Sequence, residues 1–152
     1  MSQANKNLRQ AMHGLSTDYG APAYEAMQAA ARWAEKPSPE VVAILERQGL
    51  AALARACLVD GMPLEVAGER GPYATASQRR AWAAGRLCAA AFAIHAAEAM
   101  LAEQKAAHER EAALQRKVDR LLVENRAAWR ASKVDVPFKE PPPRSVDWSV
   151  AG

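Results

Sequence analysis

The sequence predicts an all-α protein in which an N-terminal cluster of helices packs on one long C-terminal helix, followed by an extended, proline-rich tail. The first reason is composition: half of the 152 residues are hydrophobic but only 6% are aromatic, because alanine supplies much of the apolar content. Alanine is the best helix former and has a small side chain, so it favours helices whose backbones approach closely. The second reason is the stretch from about Thr75 to Lys133, which has no proline and a single glycine. The third is the cluster of prolines after that stretch.

Two helices are predicted before residue 37. The segment SQANKNLRQAMHG places Leu8 and Met12 one helical turn apart and ends at Gly14, which is typical of a short amphipathic helix. A second helix begins at Pro22, whose fixed φ suits a first helical position, and ends near Lys36. The apolar face of this second helix is formed, at helical spacing, by Ala23, Ala26, Met27, Ala30 and Trp33.

A third helix is predicted from Pro39 to about Asp60. Ser38 supplies a hydroxyl cap, and Glu40 places an acid near the positive end of the helix. Gly49 lies in the middle of this segment, where glycine costs about 1 kcal/mol relative to alanine, and it indicates a kink or a close helix crossing. The residues expected to face inward are Val41, Ile44, Leu45, Leu53, Cys57 and Leu58.

A loop of about fifteen residues without a helix is predicted next, because Gly61, Pro63, Gly68, Gly71 and Pro72 interrupt the chain. The helix that follows the loop would be about 80 Å long if it were unbroken. A compact domain of this size is narrower than that, so part of the helix is expected to project or to bind a partner.

The two halves of the long helix differ in their pattern. From Trp82 to Leu101 apolar residues occur on all sides, which predicts that other helices enclose this half. From Gln104 onward the sequence is charged, and its large apolar residues follow the four-three spacing of a short coiled-coil seam with an asparagine at the next core position. The seam through which copies of the chain are expected to associate consists of Leu114, Val118, Leu121 and Asn125. Acids interleave with the bases here, so a solvated helix surface is preferred to a basic helix that binds nucleic acid.

The tail, residues 134–152, has a different character from the rest of the chain. Its prolines forbid a helix and favour an extended or polyproline conformation, so the tail is either disordered or laid in a groove of a neighbouring subunit. The residues expected to contact such a neighbour are Phe138, Pro141, Pro142, Pro143 and Trp148. The chain is therefore expected to comprise a helical core region (1–102), a projecting helix with a short seam (103–133) and the tail (134–152).

Charge and cysteine content narrow the classes of partner. The net charge of +3 arises from 20 basic and 17 acidic residues, which is a mixed surface rather than the dense positive field of a dedicated nucleic-acid binder. Cys57 and Cys88 form no CxxC pair and no secretory signal begins the chain, so a reduced, cytoplasmic protein, or one within a particle assembled in the cytoplasm, is expected. The longest uncharged apolar run, between Arg86 and Glu98, is shorter than the roughly 20 residues that span a bilayer, and no membrane partner is expected.

No motif indicates catalysis. The sequence has no glycine-rich phosphate loop, no GxSxG and no HExxH, so neither an enzyme nor a cofactor is expected. Cys88 and His95 lie on one helical face, Glu98 follows by one turn, and Cys57 could complete a zinc site. Structural zinc sites have closer ligand pairs, so a buried thiol and a hydrogen-bonded histidine are preferred, and no metal is expected.

Around Pro72 the sequence resembles the ribosome modulation factor family. The shared features are Gly61, Ala67-Gly68, Pro72-Tyr73, Arg79 or Arg80, Trp82 and Gly85, within roughly residues 61–90. Proteins of that family have two short helices that flank a linker, and they bind ribosomal RNA and proteins to hold ribosomes inactive. The resemblance implies that RNA would contact Tyr73, Arg79, Arg80 and Trp82. This chain departs from the pattern in a shorter segment before Pro72, in Leu87 where the family has a second tryptophan, and in its longer flanking helices.

The same residues have a purely structural interpretation, in which Gly-Pro-Tyr forms a turn, Thr75 or Ser77 caps the long helix, and Trp82 packs on the preceding helix. Taken together, the sequence favours a non-enzymatic structural or adaptor subunit of a larger assembly, such as a virion. Its partners would be protein subunits, including copies of itself. A regulator that binds ribosomes or RNA is the alternative.

Overall fold

In a computed structural model of the chain, which describes residues 1–69, 71–72 and 74–133, the protein is mostly helical and the described part contains no strand. The all-α prediction is therefore confirmed. The helices are α1 (Gln3–Met12), α2 (Leu15–Asp18), α3 (Ala21–Glu35), α4 (Pro39–Arg47), α5 (Ala51–Ala54), α6 (Leu64–Ala67) and α7 (Ala76–Lys133), and a π-helical turn (Arg55–Val59) follows α5. The tail, with its predicted contacts Phe138, Pro141, Pro142, Pro143 and Trp148, lies outside the described residues.

The chain divides into two compact units, Met1–Lys105 and Ala106–Gly152, and the second is described as far as Lys133. In unit 1 the N-terminal helices pack on the first part of α7, as predicted. Alanine dominates the contact: the buried alanines are Ala23, Ala26, Ala29 and Ala30 on α3, Ala54 on α5, and Ala83, Ala90, Ala91 and Ala97 on α7. Larger side chains fill the remaining space, chiefly Trp33, Leu45, Leu64, Leu87 and Ile94. Every buried hydrophobic residue of the described part belongs to unit 1.

Helix α1 is held by a buried polar residue as well as by its apolar face. The predicted pair Leu8 and Met12 is buried, and the Ser2 hydroxyl accepts a hydrogen bond from Asn5 N at 3.3 Å to cap the helix. Asn7, which is only 1% exposed, donates from its side-chain amide to the carbonyls of Cys57 at 3.3 Å and Met62 at 2.8 Å. A π-helical turn displaces backbone hydrogen bonds by one residue and leaves carbonyls to be satisfied. Cys57 belongs to this turn and Met62 follows it, so Asn7 joins α1 both to the turn and to the chain after it.

The prediction of a single helix from Pro39 to Asp60 is wrong, because the helix is interrupted at Gly49. Helix α4 ends at Arg47, and Gly49 adopts φ = +70°, in the left-handed region that favours glycine. Leu50 N donates to Leu45 O at 2.9 Å and Gly49 N to Glu46 O at 3.1 Å, which is the hydrogen-bond pattern of a glycine-terminated helix. The expected kink is thus a helix end, and the chain resumes as α5 and the π-helical turn. Of the residues expected to face inward, Val41, Leu45, Leu53, Cys57 and Leu58 are buried, whereas Ile44 is half-buried.

Ser38 stands at the N-cap of α4 with an extended backbone, as predicted, but its hydroxyl caps no backbone group. The hydroxyl instead donates to the Glu40 carboxylate at 2.6 Å. This hydrogen bond, together with one from the Glu40 backbone N–H, holds the pKa of Glu40 below its usual value.

The loop before α7 was predicted to contain no helix because of its many glycines and prolines, but it contains the short helix α6. Helix α6 is one turn long, begins after Pro63, and buries Leu64. Its position is fixed by Gly68, because a Cβ there would lie 2.5 Å from Arg79 O and 2.8 Å from Arg79 Cβ. The loop therefore approaches α7 more closely than any residue with a side chain allows.

Helix α7 is a single helix over the predicted stretch, and its start is capped as expected. Gln78 N donates to the Thr75 hydroxyl at 3.2 Å, and Thr75 N donates to the Gln78 side-chain oxygen at 2.8 Å. The prediction that other helices enclose it from Trp82 to Leu101 is wrong, since Trp82 and Met100 are 54% and 56% exposed. Only one face of this half is buried, so the other large residues meet solvent.

Candidate interaction surfaces

The described part of unit 2 exposes an apolar stripe along α7. We define the α7 stripe as Leu114, Val118, Leu121 and Leu122, whose side chains are between 47% and 64% exposed. At 100° per residue these positions fall within about 100° of the helix circumference, and Asn125 lies on the same face. Val123, which is 67% exposed, lies on the opposite face. A band of this width is what an amphipathic helix presents to another helix.

The structure brings the four predicted seam residues, Leu114, Val118, Leu121 and Asn125, onto one exposed face, and it adds Leu122, which the four-three spacing missed. Trp129, which is 59% exposed, continues the same side of the helix. Leu122 follows Val118 by four residues and Trp129 follows Asn125 by four, so an i, i+4 search for neighbours would have found both.

Polar pairs within the helix border the α7 stripe. Gln115 Nε2 donates to Asp119 Oδ1 at 2.8 Å, and Arg120 Nε lies 4.0 Å from Glu124 Oε1. Such i, i+4 pairs on an exposed helix add only a few tenths of a kcal/mol each. These polar side chains face solvent beside the stripe, and the stripe itself stays exposed within the described part of unit 2.

A second surface lies where the α6 loop meets the start of α7, around two of the residues that the family resemblance singled out. Arg79 donates from Nε to Glu65 O at 3.3 Å and from a terminal nitrogen to Ala74 O at 2.7 Å. Arg80 forms an ion pair with Glu65, whose pKa is lowered first by a hydrogen bond from its own backbone N–H and then by Arg80. Both guanidinium groups are therefore engaged in holding the loop against α7.

Trp82 is 54% exposed and lies outside the core, whereas its structural interpretation expected it to pack on the preceding helix. It borders an open cavity of about 560 Å³ that we call the junction groove, lined by Glu69, Gly71, Ala74, Gln78, Arg79 and Trp82. Arg86 reaches Glu69 at 3.5 Å and the Gly49 carbonyl at 3.1 Å on the same side of the helix. The groove offers an aromatic wall with a mixed charge around it. Tyr73, the fourth residue of the predicted RNA contact, lies outside the described residues.

Three of the four residues considered as zinc ligands have other side-chain partners, and the fourth, Cys57, is a buried free thiol. The Cys88 thiol donates to Met12 Sδ at 3.3 Å, His95 Nε2 lies 3.4 Å from Glu25 Oε2, and Glu98 accepts from Arg32 at 2.8 Å. Burial raises the pKa of Cys57 to about 11 and raises that of Cys88, which disfavours the thiolate that binds metals. Among the described residues, no group of three or more histidine, cysteine or acidic side chains is arranged to hold an ion.

Comparison of the chain with protein-family models, with curated protein sequences and with solved structures finds no match. The resemblance around Pro72 therefore depends on the quoted residues alone.

By length and composition, α7 contains one 18-residue window, with a mean hydropathy of 1.2, that meets the criterion for a membrane span. One third of that window, 33%, is buried inside the protein. Core helices satisfy the same criterion, so the finding is weak evidence for a membrane and the expectation of no membrane partner stays a prediction.

Proposed function

We propose that the protein is a non-enzymatic structural or adaptor subunit of a larger assembly, and that it binds neighbouring protein subunits through the α7 stripe. The observation that carries this proposal is the exposure of four large apolar side chains on one helical face, outside the only core that the described residues form. Exposed apolar patches of this kind mark interaction surfaces, because covering them removes apolar area from water.

The free energy gained by burying the stripe indicates how strong the association is expected to be. Complete burial of a large apolar side chain contributes roughly 1.5–3 kcal/mol, and those of the stripe are already about half covered by their own helix. Two copies packed face to face would then gain roughly 6–12 kcal/mol, against a cost of association of about 4–15 kcal/mol. The stripe by itself therefore supports weak, concentration-dependent pairing, and a second contact would strengthen it by raising the effective concentration.

The tail is the second contact that we propose, on the strength of its sequence. Prolines restrict the free chain, which lowers the entropy lost when Phe138 and Trp148 enter apolar sites on a neighbour. Removal of the residues after Lys133 is expected to leave the melting temperature of the isolated protein unchanged and to weaken its incorporation into the native complex. Equal incorporation of truncated and full-length chains in competition would remove the tail from the proposal.

The stripe is tested by changing Leu114 and Leu121 to lysine in the full-length chain. Charge at two positions of the stripe opposes its burial against a second copy, so we expect light scattering to show a lower mass at a concentration where the wild type self-associates. The melting temperature of unit 1 is expected to stay the same, because neither residue belongs to its core. Val123→Lys, on the opposite face, is the matched control and should keep the wild-type mass. An unchanged mass for the double variant would contradict the proposal.

A ribosome- or RNA-binding regulator is the second candidate, and the exposure of Trp82 beside the junction groove favours it. Exposed aromatic rings stack on unpaired bases, and phosphate contacts make such binding strongly dependent on salt. Arg79 and Arg80 support it less, since both hold the α6 loop. Salt-dependent binding of the wild type to ribosomes, lost in Trp82→Ala and kept in Met100→Ala, would favour this candidate over the first.

A further inference from the structure

We propose that the neighbour bound by the α7 stripe is a second copy of the chain, and that the two copies of α7 pair in antiparallel orientation about a two-fold axis between Asp119 and Arg120. This inference rests on the proposed function and adds the identity and the direction of the partner. It follows from the order of apolar and charged residues on one exposed helical face.

The apolar layers of the stripe are self-complementary in this register. Val118 of each copy would pack on the partner's Leu121, and Leu114 would pack on the partner's Asn125. The two apolar layers thus lie next to the axis, and the two layers that contain an amide lie at the ends, where Asn125 keeps contact with water. In a two-fold dimer each contact between two different residues occurs twice, once on each side of the axis, so one favourable pair contributes two stabilising contacts.

Charge decides between the two directions. Lys117 and Glu124 lie on the same flank of the stripe, and Lys117 has no ion-pair partner within the part of the chain that the structure describes. When two helices run antiparallel, each flank faces the same flank of the other copy, so Lys117 would lie opposite the partner's Glu124 on both sides of the axis. In a parallel pair that flank faces Leu122 and Trp129 of the other copy, and no ion pair results. Flanking charges of this kind set helix direction in coiled coils.

Glu124 has room for this additional partner. Its only neighbour of opposite charge in the described residues is Arg120, at 4.0 Å and on the same helix. A carboxylate has two oxygens and accepts hydrogen bonds from several donors, so one lysine from the partner does not require the first contact to break.

The distribution of charge along the helix points in the same direction. Residues 106–115 carry two acids and one base, whereas residues 116–133 carry six bases and two acids. An antiparallel pair sets the acidic end of each copy against the basic end of the other. A parallel pair would set the two basic ends together and would also place Glu111, which continues the core spacing backward, against itself. The one feature that favours a parallel pair is Asn125, which would then face its own copy.

The test is a charge-swap cycle on the full-length protein, followed by sedimentation equilibrium. Lys117→Glu and Glu124→Lys are each expected to weaken the dimerisation constant by about tenfold, because each replaces two attractive contacts with two repulsive ones. The double variant, which exchanges the two charges, should recover most of the wild-type affinity. Arg116→Glu, which makes the same charge change on the opposite side of the helix, is the control and is expected to have a smaller effect than Lys117→Glu.

The outcomes separate this inference from the function on which it rests. A wild type that stays monomeric at every concentration would overturn this inference, whereas the proposed function would still allow a neighbour of different sequence on the stripe. A dimer that responds equally to Lys117→Glu and to Arg116→Glu would overturn the antiparallel direction and leave the stripe as the interface. The antiparallel direction would also be overturned if the Asn125→Cys variant formed a disulfide-linked dimer in air. In an antiparallel pair the two copies of residue 125 would be about 16 Å apart along the helix axis, too far for a disulfide.

Discussion

The two parts of α7 on either side of residue 105 use apolar residues in opposite ways. Before it, the side chains that face the core are mostly alanines, while Trp82 and Met100 are more than half exposed. After it, the large residues are concentrated on one face and nothing in the described part of unit 2 covers them. The comparison teaches that the size of an apolar side chain does not indicate whether it is buried. The presence of a second surface does, and for the α7 stripe that surface has to come from elsewhere.

The difference has a physical cause in the way helices approach each other. Small alanine side chains allow helix backbones to approach closely, and α3 and α7 each bury four alanines. The two helices also meet at Arg32–Glu98 and Glu25–His95. Leucine and valine hold helices further apart and need a partner with gaps to fill, as the knobs and holes of a coiled coil provide.

The largest expected effect comes from the buried side of this comparison. Leu87→Ala is expected to lower the free energy of unfolding by about 2–5 kcal/mol, since Leu87 is fully buried and its removal leaves a cavity. Chemical denaturation monitored by circular dichroism measures the change, with Met100→Ala as a control on the exposed side of the same helix. Phe92→Ala should cost less than the roughly 3–5 kcal/mol expected for a fully buried phenylalanine, because Phe92 is half-buried. Equal stability of Leu87→Ala and the wild type would show that this half of α7 is not packed as described.

A smaller loss is expected where the α6 loop anchors the start of α7. Gly68→Ala places a Cβ 2.5 Å from Arg79 O, so the loop must move away, at an expected cost of about 1–3 kcal/mol. Gly14→Ala is the matched control, because a Cβ at Gly14 meets nothing within 4 Å. The measurement is the midpoint of thermal unfolding of both variants. A Gly68→Ala protein as stable as the control would mean that the close approach of the loop to α7 is not required.

The smallest effect compares the two halves directly. Gly85 is exposed on α7 and a Cβ there meets nothing within 4 Å, so Gly85→Ala is expected to raise the free energy of unfolding by about 0.5–1 kcal/mol. Ala112→Gly makes the reverse change in the second half, where it should lower the helical signal in circular dichroism without changing the cooperative unfolding of unit 1. A shift of that unfolding transition by Ala112→Gly would show that the two halves unfold as one.

Several helix ends could be predicted because the residues that cause them act locally. Ser2 caps α1, and Thr75 with Gln78 caps α7, each through contacts within a few residues. Helix α1 ends at Met12, two residues before the predicted stop at Gly14, and Pro22 is the second residue of α3. The break at Gly49 was harder to predict, since a glycine in a helical pattern is compatible with a kink, a crossing or an end. Its left-handed backbone selects the third.

The candidate surfaces were predictable to different degrees. The seam Leu114, Val118, Leu121 and Asn125 follows from spacing alone, because a helix fixes which residues share a face. The roles of Arg79 and Arg80 did not follow from spacing. Their partners are the carbonyls of Glu65 and Ala74 and the carboxylate of Glu65, which belong to the loop before α7.

The sequence by itself determined the helical class, the continuity of α7 and the face on which its exposed apolar residues lie, since each depends on local propensity and on helical periodicity. Only the tertiary structure decided which side of α7 the N-terminal helices cover. It also decided that Gly68 brings a loop against Arg79 and that Asn7 donates to one carbonyl in the π-helical turn and to another after it. These features join residues that are up to 76 positions apart, as Met12 and Cys88 are. Such contacts form only when the whole unit excludes water from the space between its helices, and no local pattern encodes that space.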